Sequence, residues 1–153
     1  MEAMQYKQYI AKRRVISFES TPDLPAEFSP LRQKAASWLG CQPRKLVHML
    51  VAEFRPGTPL GWHRDAPHFE SIVGISLGSE ARMGLRPYAP NAPNATNAQG
   101  RSEVIELVLA PRSIYELSGA ARWAWQHRVA ATPAWRYSIT FRTACSSATA
   151  ARR

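Results

Sequence analysis

His63 and Asp65, in Pro59-Leu60-Gly61-Trp62-His63-Arg64-Asp65, offer an imidazole and a carboxylate one residue apart. On a strand or its extended end, two side chains at that spacing point to the same face. A second imidazole would complete a set of two histidines and one carboxylate, which grips one face of an Fe(II) ion and leaves the other open for oxygen and a cosubstrate. The chain holds 4 histidines. His127, in Trp125-Gln126-His127-Arg128, is distant from the pair and precedes a further strand-like segment, so it is the candidate third ligand. His68 follows Pro67, whose turn aims it elsewhere, and reads as a rim residue; His48, inside an apolar run, reads as structural. Taken alone, His-x-Asp is also the pattern of a solvated turn or a surface ion pair. The same three groups with a water as fourth ligand would suit a zinc hydrolase.

Further along, Arg136-Tyr137-Ser138-Ile139-Thr140-Phe141-Arg142 tilts the balance. Tyr137, Ile139 and Phe141 alternate with Arg136, Ser138, Thr140 and Arg142, so a strand here puts both arginines on one face. Two arginines turned toward a core need an anion. A dicarboxylate cosubstrate supplies one, because guanidinium pairs bidentately with carboxylate and stays charged when desolvated. Hydrolysis needs no such buried anchor, which tells against the zinc reading.

His63-x-Asp65, then His127, then Arg136 and Arg142 in RYSITFR is an order that resembles the AlkB-like branch of the Fe(II)- and 2-oxoglutarate-dependent dioxygenases, from about Lys12 to Arg142. The resemblance implies a mainly β chain with one or two helices and a double-stranded β-helix, or jelly-roll, core. It makes His63, Asp65 and His127 the catalytic Fe(II) ligands, pairs Arg136 with the distal carboxylate of 2-oxoglutarate, sets Arg142 near the iron end, and puts Ser138 and Phe54 in the cosubstrate pocket. The implied reaction consumes oxygen, turns the cosubstrate into succinate and carbon dioxide, and hydroxylates a substrate C–H bond; on an N-methyl group the product then loses formaldehyde. An Asn-x-Tyr that commonly contacts 2-oxoglutarate in the family stands here as Ala52-Glu53-Phe54, without amide or phenol. The acidic residue that contacts the damaged base in DNA-repair members, two positions past the metal aspartate, is here Pro67.

The elements that must carry these residues follow from periodicity and punctuation. Leu46–Phe54 reads as a strand that enters the turn Arg55-Pro56-Gly57 and delivers the chain to His63. Strands are expected at 71–78, 81–86, 103–109 and 113–117, and Gly119–His127 brings Trp123 and Trp125, read as core, up to the third ligand. A helix is expected over 31–39, burying Leu31, Ala35, Trp38 and Leu39 and stopping at Gly40, after a loop over 21–30. A second loop spans 87–100. The first 20 residues read as a basic, aromatic segment in the place of the family's substrate lid, ending in a strand. There Lys12, Arg13, Arg14 and Phe18, together with Trp62, are the candidate substrate contacts. Residues 143–153 read as a flexible tail.

At 153 residues, 45% hydrophobic and 20% charged, the chain fits one globular domain over 1–153. Its 20 basic against 11 acidic residues give a formal charge of +9, which predicts attraction to polyanions. Alkylated DNA or RNA is the expected partner, beside 2-oxoglutarate and oxygen; the base would be flipped or single-stranded. The open alternatives are an oxygenase acting on a protein or small molecule, and a metal-containing nucleic-acid-binding module without catalysis. With 2 cysteines, Cys41 and Cys145, neither a disulfide framework nor a thiolate metal site is expected. No apolar run approaches a membrane span. A cytoplasmic monomer with no membrane association is expected.

Overall fold

The computed structural model describes residues 2–6, 9–19, 24–89 and 103–146, and the side chains from residue 13 onward within these ranges. Among the described residues ten strands form two antiparallel sheets. The larger sheet runs in the order β1 (Glu2–Tyr6), β2 (Tyr9–Phe18), β3 (Leu46–Phe54), β10 (Arg136–Ala144), β5 (Phe69–Gly78) and β8 (Ser113–Leu117). The smaller runs β4 (Leu60–His63), β9 (Trp125–Val129), β6 (Ala81–Pro87) and β7 (Ile105–Leu109). From β3 onward the chain crosses repeatedly between the sheets, which is the winding of a jelly roll.

Alternation along β10 gives the large sheet two different faces. Ile139 and Phe141 point away from the small sheet and join Leu46, Met49, Val73 and Ile75 in a core closed by α1 (Ser29–Leu39). Arg136, Ser138, Thr140 and Arg142 point the other way, into the space between the sheets. There Ala81, Met83, Leu109 and Val129, with Ile72, Leu85 and Leu117, form two smaller clusters that hold the sheets together. The site therefore lies inside the sandwich, backed by a core of its own.

Several expectations need correction. Helix α1 begins two residues early, at Ser29, because Pro30 in the first turn has no hydrogen bond to lose. It ends at Gly40, whose φ of 67° is the left-handed cap a glycine supplies freely. Trp38 is not core but 55% exposed, whereas Ala35 and Ala36 are 0% and 1% exposed. At about 100° per residue Trp38 lies almost opposite Ala36, so a buried face centred on the alanines turns the indole outward. Strand β7 starts at Ile105, not residue 103, and β10 runs on to Ala144, so the expected tail loses its first two residues to the strand. At the front of the chain β1 and β2 pair with each other and β2 pairs with β3, extending the large sheet. A second, short helix, α2 (Gly119–Trp123), precedes β9. The lid candidate Lys12, residues 90–100 of the expected loop and residues 147–153 of the tail lie outside the described residues or side chains.

Candidate active site

Strands β4 and β9 pair so that His63 and His127 stand opposite each other, with ring centroids 4.2 Å apart. The chain leaves β4 at His63, and two residues later Asp65 comes up between them. Its Oδ1 lies 3.6 Å from His63 Nε2 and 3.9 Å from His127 Nε2. The three ligand atoms all fall within 4.8 Å of one another. His63 Nδ1 donates to the Gly61 carbonyl at 2.7 Å, which fixes the ring and turns Nε2 toward the cluster.

Asp65 is held from two sides. Arg142 Nε donates to Oδ2 at 2.6 Å, which leaves Oδ1 for a metal. Arg142 Nη1 also donates to His48 Nδ1 at 3.1 Å, so His48 presents its other nitrogen as a donor to Ser17 Oγ at 2.8 Å. Burial and the Arg142 charge both push the His48 pKa down, which keeps it neutral and able to accept. Burial alone would raise the Asp65 pKa, but His63 and the charge and hydrogen bond of Arg142 outweigh it and hold the carboxylate ionised, well below its usual range. Burial, with the neighbouring His63, pushes His127 down to about 4, so at neutral pH it is an unprotonated donor suited to a metal.

The main chain that carries Asp65 has its own clamp. Arg122, 3% exposed at the end of α2, donates from Nη2 to the carbonyls of Ala66 at 2.7 Å, Phe69 at 3.0 Å and Asp65 at 3.2 Å, and from Nε to Phe69 at 3.2 Å. Trp123 lies beneath its guanidinium at 4.0 Å. A guanidinium carries five N–H donors on one planar group, so this one side chain serves all three carbonyls.

From this cluster a cavity of about 320 Å³ runs between the sheets to Arg136. Arg136 is 2% exposed, donates from Nε to Ser76 Oγ at 3.0 Å and sits over the Phe54 ring at 5.1 Å. Among the described residues it has no carboxylate partner. A buried guanidinium facing a cavity without a counter-charge fits an anionic ligand, and a nitrogen, nitrogen and oxygen donor set fits Fe(II). Ser138, 7% exposed, and Phe54 also line the cavity.

The family model of the 2OG-Fe(II) oxygenase superfamily matches residues 2–142. The chain belongs to this superfamily. Membership assigns Fe(II) and 2-oxoglutarate as cofactors. In fold this oxygenase is similar to OsALKBH1, with TM-score 0.60 and 15% identity over 86% of this chain and 78% of that one. It is also similar to recombinant oxalate oxidase in complex with glycolate, with TM-score 0.51 and 12% identity over 94% and 56%. The oxygenase spans just over half the length of that oxalate oxidase. Among curated proteins none matches it by sequence.

Of the candidate substrate contacts, only Arg13 lines the cavity. Arg14 alternates to the other face of β2 and pairs with Glu53 at 2.6 Å. Phe18 packs against Phe28 and the helix-side core. Trp62, next to His63 on a strand, points to the outside of the small sheet and lies over Gly84, where a Cβ would come within 3.2 Å of its ring. His68 is exposed and stands outside both the ligand cluster and the cavity lining. Trp123 and Trp125 are half-buried beside the site, Trp125 against the cluster of Ile72, Leu85 and Leu117. Sequence reasoning did not single out Arg122, Ser76, Arg64 or Tyr115, all of which line or brace the site.

Proposed function

We propose that this oxygenase is an Fe(II)- and 2-oxoglutarate-dependent dioxygenase that removes N-alkyl groups from nucleic acid bases by hydroxylating them. The observation that carries the oxygenase part is one cavity with the His63, Asp65 and His127 cluster at one end and the uncompensated Arg136 guanidinium at the other. His63, Asp65 and His127 would hold the iron and Arg136 the distal carboxylate of the cosubstrate. Bound there, the pair supplies oxidising power for a C–H bond. The chain's own part is positional: Arg142 and Arg122 fix the carboxylate ligand and its main chain, His48 orders Arg142, and the apolar walls Leu60, Met83 and Val129 keep bulk water from the reacting end.

The nucleic acid part is supported by cationic side chains stacked on aromatic rings. Arg64 lines the cavity and stacks on the exposed Tyr88 at 3.6 Å, and on the outside of the small sheet Arg86 and Arg128 flank Trp62 at 4.4 and 4.7 Å. None of these three arginines has a carboxylate partner among the described residues. Stacked cations beside aromatic rings suit a phosphate backbone with unpaired bases, and the formal charge of +9 acts in the same direction. Pro67, exposed in the place of an acidic base contact, favours as second reading an oxygenase for a protein or small molecule.

The test is succinate formation by the Fe(II)-loaded protein, with formaldehyde release measured on single-stranded and duplex oligonucleotides carrying N-methylated bases. Dealkylation requires both products in step and a preference for the single strand. Succinate formed at a rate indifferent to every oligonucleotide, without formaldehyde, would leave the oxygenase and discard the substrate.

A further inference from the structure

At the Arg136 end one component of a carboxylate receptor is missing from the expected place. Phe54 lies beneath the guanidinium and offers a ring with no hydroxyl. A phenol reaches the same pocket from the other side of β10. Thr140 pairs with Gly74 on β5, and Gly74 with Tyr115 on β8, so the three form one row across the sheet. Tyr115 lies flat along that row. A Cβ built on Gly74 would come within 2.1 Å of Tyr115 Cζ and 2.3 Å of its hydroxyl oxygen, so the absence of a side chain at position 74 is what admits the tip of the ring. The tyrosine spans β5 and presents its hydroxyl toward β10.

Arg136 leans to meet it. Its Nε donates to Ser76 Oγ, on β5 and two residues from Gly74 on the same face, so the guanidinium reaches off its own strand toward the Tyr115 row. Both side chains line the cavity. The Tyr115 hydroxyl has no hydrogen-bond partner among the described residues, and its side chain lines the cavity that Arg136 also lines, which leaves the hydroxyl free to meet a ligand there. Burial also raises its pKa, with Arg136 opposing, which keeps the proton on the oxygen as a donor.

We propose that Tyr115 is the phenol donor to the distal carboxylate of 2-oxoglutarate, in place of the hydroxyl that Phe54 lacks, and that the absence of a side chain at Gly74 lets it in. The carboxylate is then gripped between β10 and β8 rather than from β3. This rests on the cofactor assignment, and the experiment separates the two. Tyr115→Phe keeps the ring and its packing and removes the donor. Calorimetric titration of the Mn(II)-loaded protein with 2-oxoglutarate should show about tenfold weaker binding in the variant, the worth of one hydrogen bond to a charged group, with an unchanged melting temperature. With 2-oxobutyrate, which lacks the distal carboxylate, parent and variant should bind alike. Equal 2-oxoglutarate affinity in both proteins, or the same loss for 2-oxobutyrate, overturns the role of Tyr115 and leaves the cofactor standing. A parent that binds neither acid takes both down.

Discussion

Removing the Arg122 clamp tests whether the carboxylate ligand is positioned by side chains alone or by the main chain beneath it. Arg122→Met keeps an unbranched, buried side chain and deletes the donors to three carbonyls, those of Asp65, Ala66 and Phe69. Hydrogen bonds from a charged donor contribute about 1.5 to 3 kcal/mol each, but the buried guanidinium also carries a desolvation cost that the thioether escapes. The shortest contacts, at 2.7 and 3.0 Å, dominate, so the net loss should be about 3 kcal/mol. Urea unfolding of the metal-free protein reads this as a lower midpoint at unchanged slope. Because the clamp holds the segment that carries Asp65, Mn(II) affinity should fall as well, by about tenfold. Arg122→Lys should recover part of the loss, since its ammonium is a charged donor but lacks the second nitrogen that bonds Phe69 and the flat face that stacks on Trp123. A loss below about 1 kcal/mol together with unaltered Mn(II) affinity would refute the clamp.

Three further outcomes are expected. Arg136→Ala should weaken 2-oxoglutarate binding by about 3 kcal/mol, because it strands a carboxylate in a dry pocket, while Arg136→Lys should lose less; calorimetry on the Mn(II) form measures both. His63→Ala, Asp65→Ala and His127→Ala should each abolish Fe(II)-dependent succinate formation, whereas His68→Ala should leave it within about twofold, the exposed ring being outside the cluster. In the metal-free protein His127 is held near 4 against an ordinary 6.5, so the unfolded chain binds the extra proton between those values and stability must fall as pH drops through that window. Thermal melts from pH 7 to 4.5 should show a loss of up to about 3 kcal/mol, and His127→Gln should flatten that slope. The Asp65 contribution, from a lowered carboxylate, disappears only at lower pH still.

What could be read from the chain was whatever depended on one strand at a time. Strict alternation in 136–142 announced two arginines on one face, and both are buried there, at 2% and 9% exposure. The same rule applied to Trp62 would have sent it away from His63, since neighbours on a strand face opposite ways, and Arg14 and Phe18 likewise alternate away from Arg13. Other features depend on register between distant strands. Tyr115 matters only because it falls opposite Gly74, and Arg122 only because α2 docks on the loop after Asp65; neither alignment has a local signal. The Trp38 error is of another kind, since helical spacing tells which residues share a face but not which face turns inward.

Asp65 and Arg142 are 77 positions apart, and His48 and Arg142 are 94. Contacts this remote are the last for which a chain recovers its loop-closure entropy, so the site is expected to assemble late, when β10 inserts between β3 and β5. Before that insertion Asp65 lacks its Arg142 partner and the cavity lacks Arg136. A nascent chain would then have no finished site in which to hold reactive iron, and metal uptake would follow completion of the large sheet.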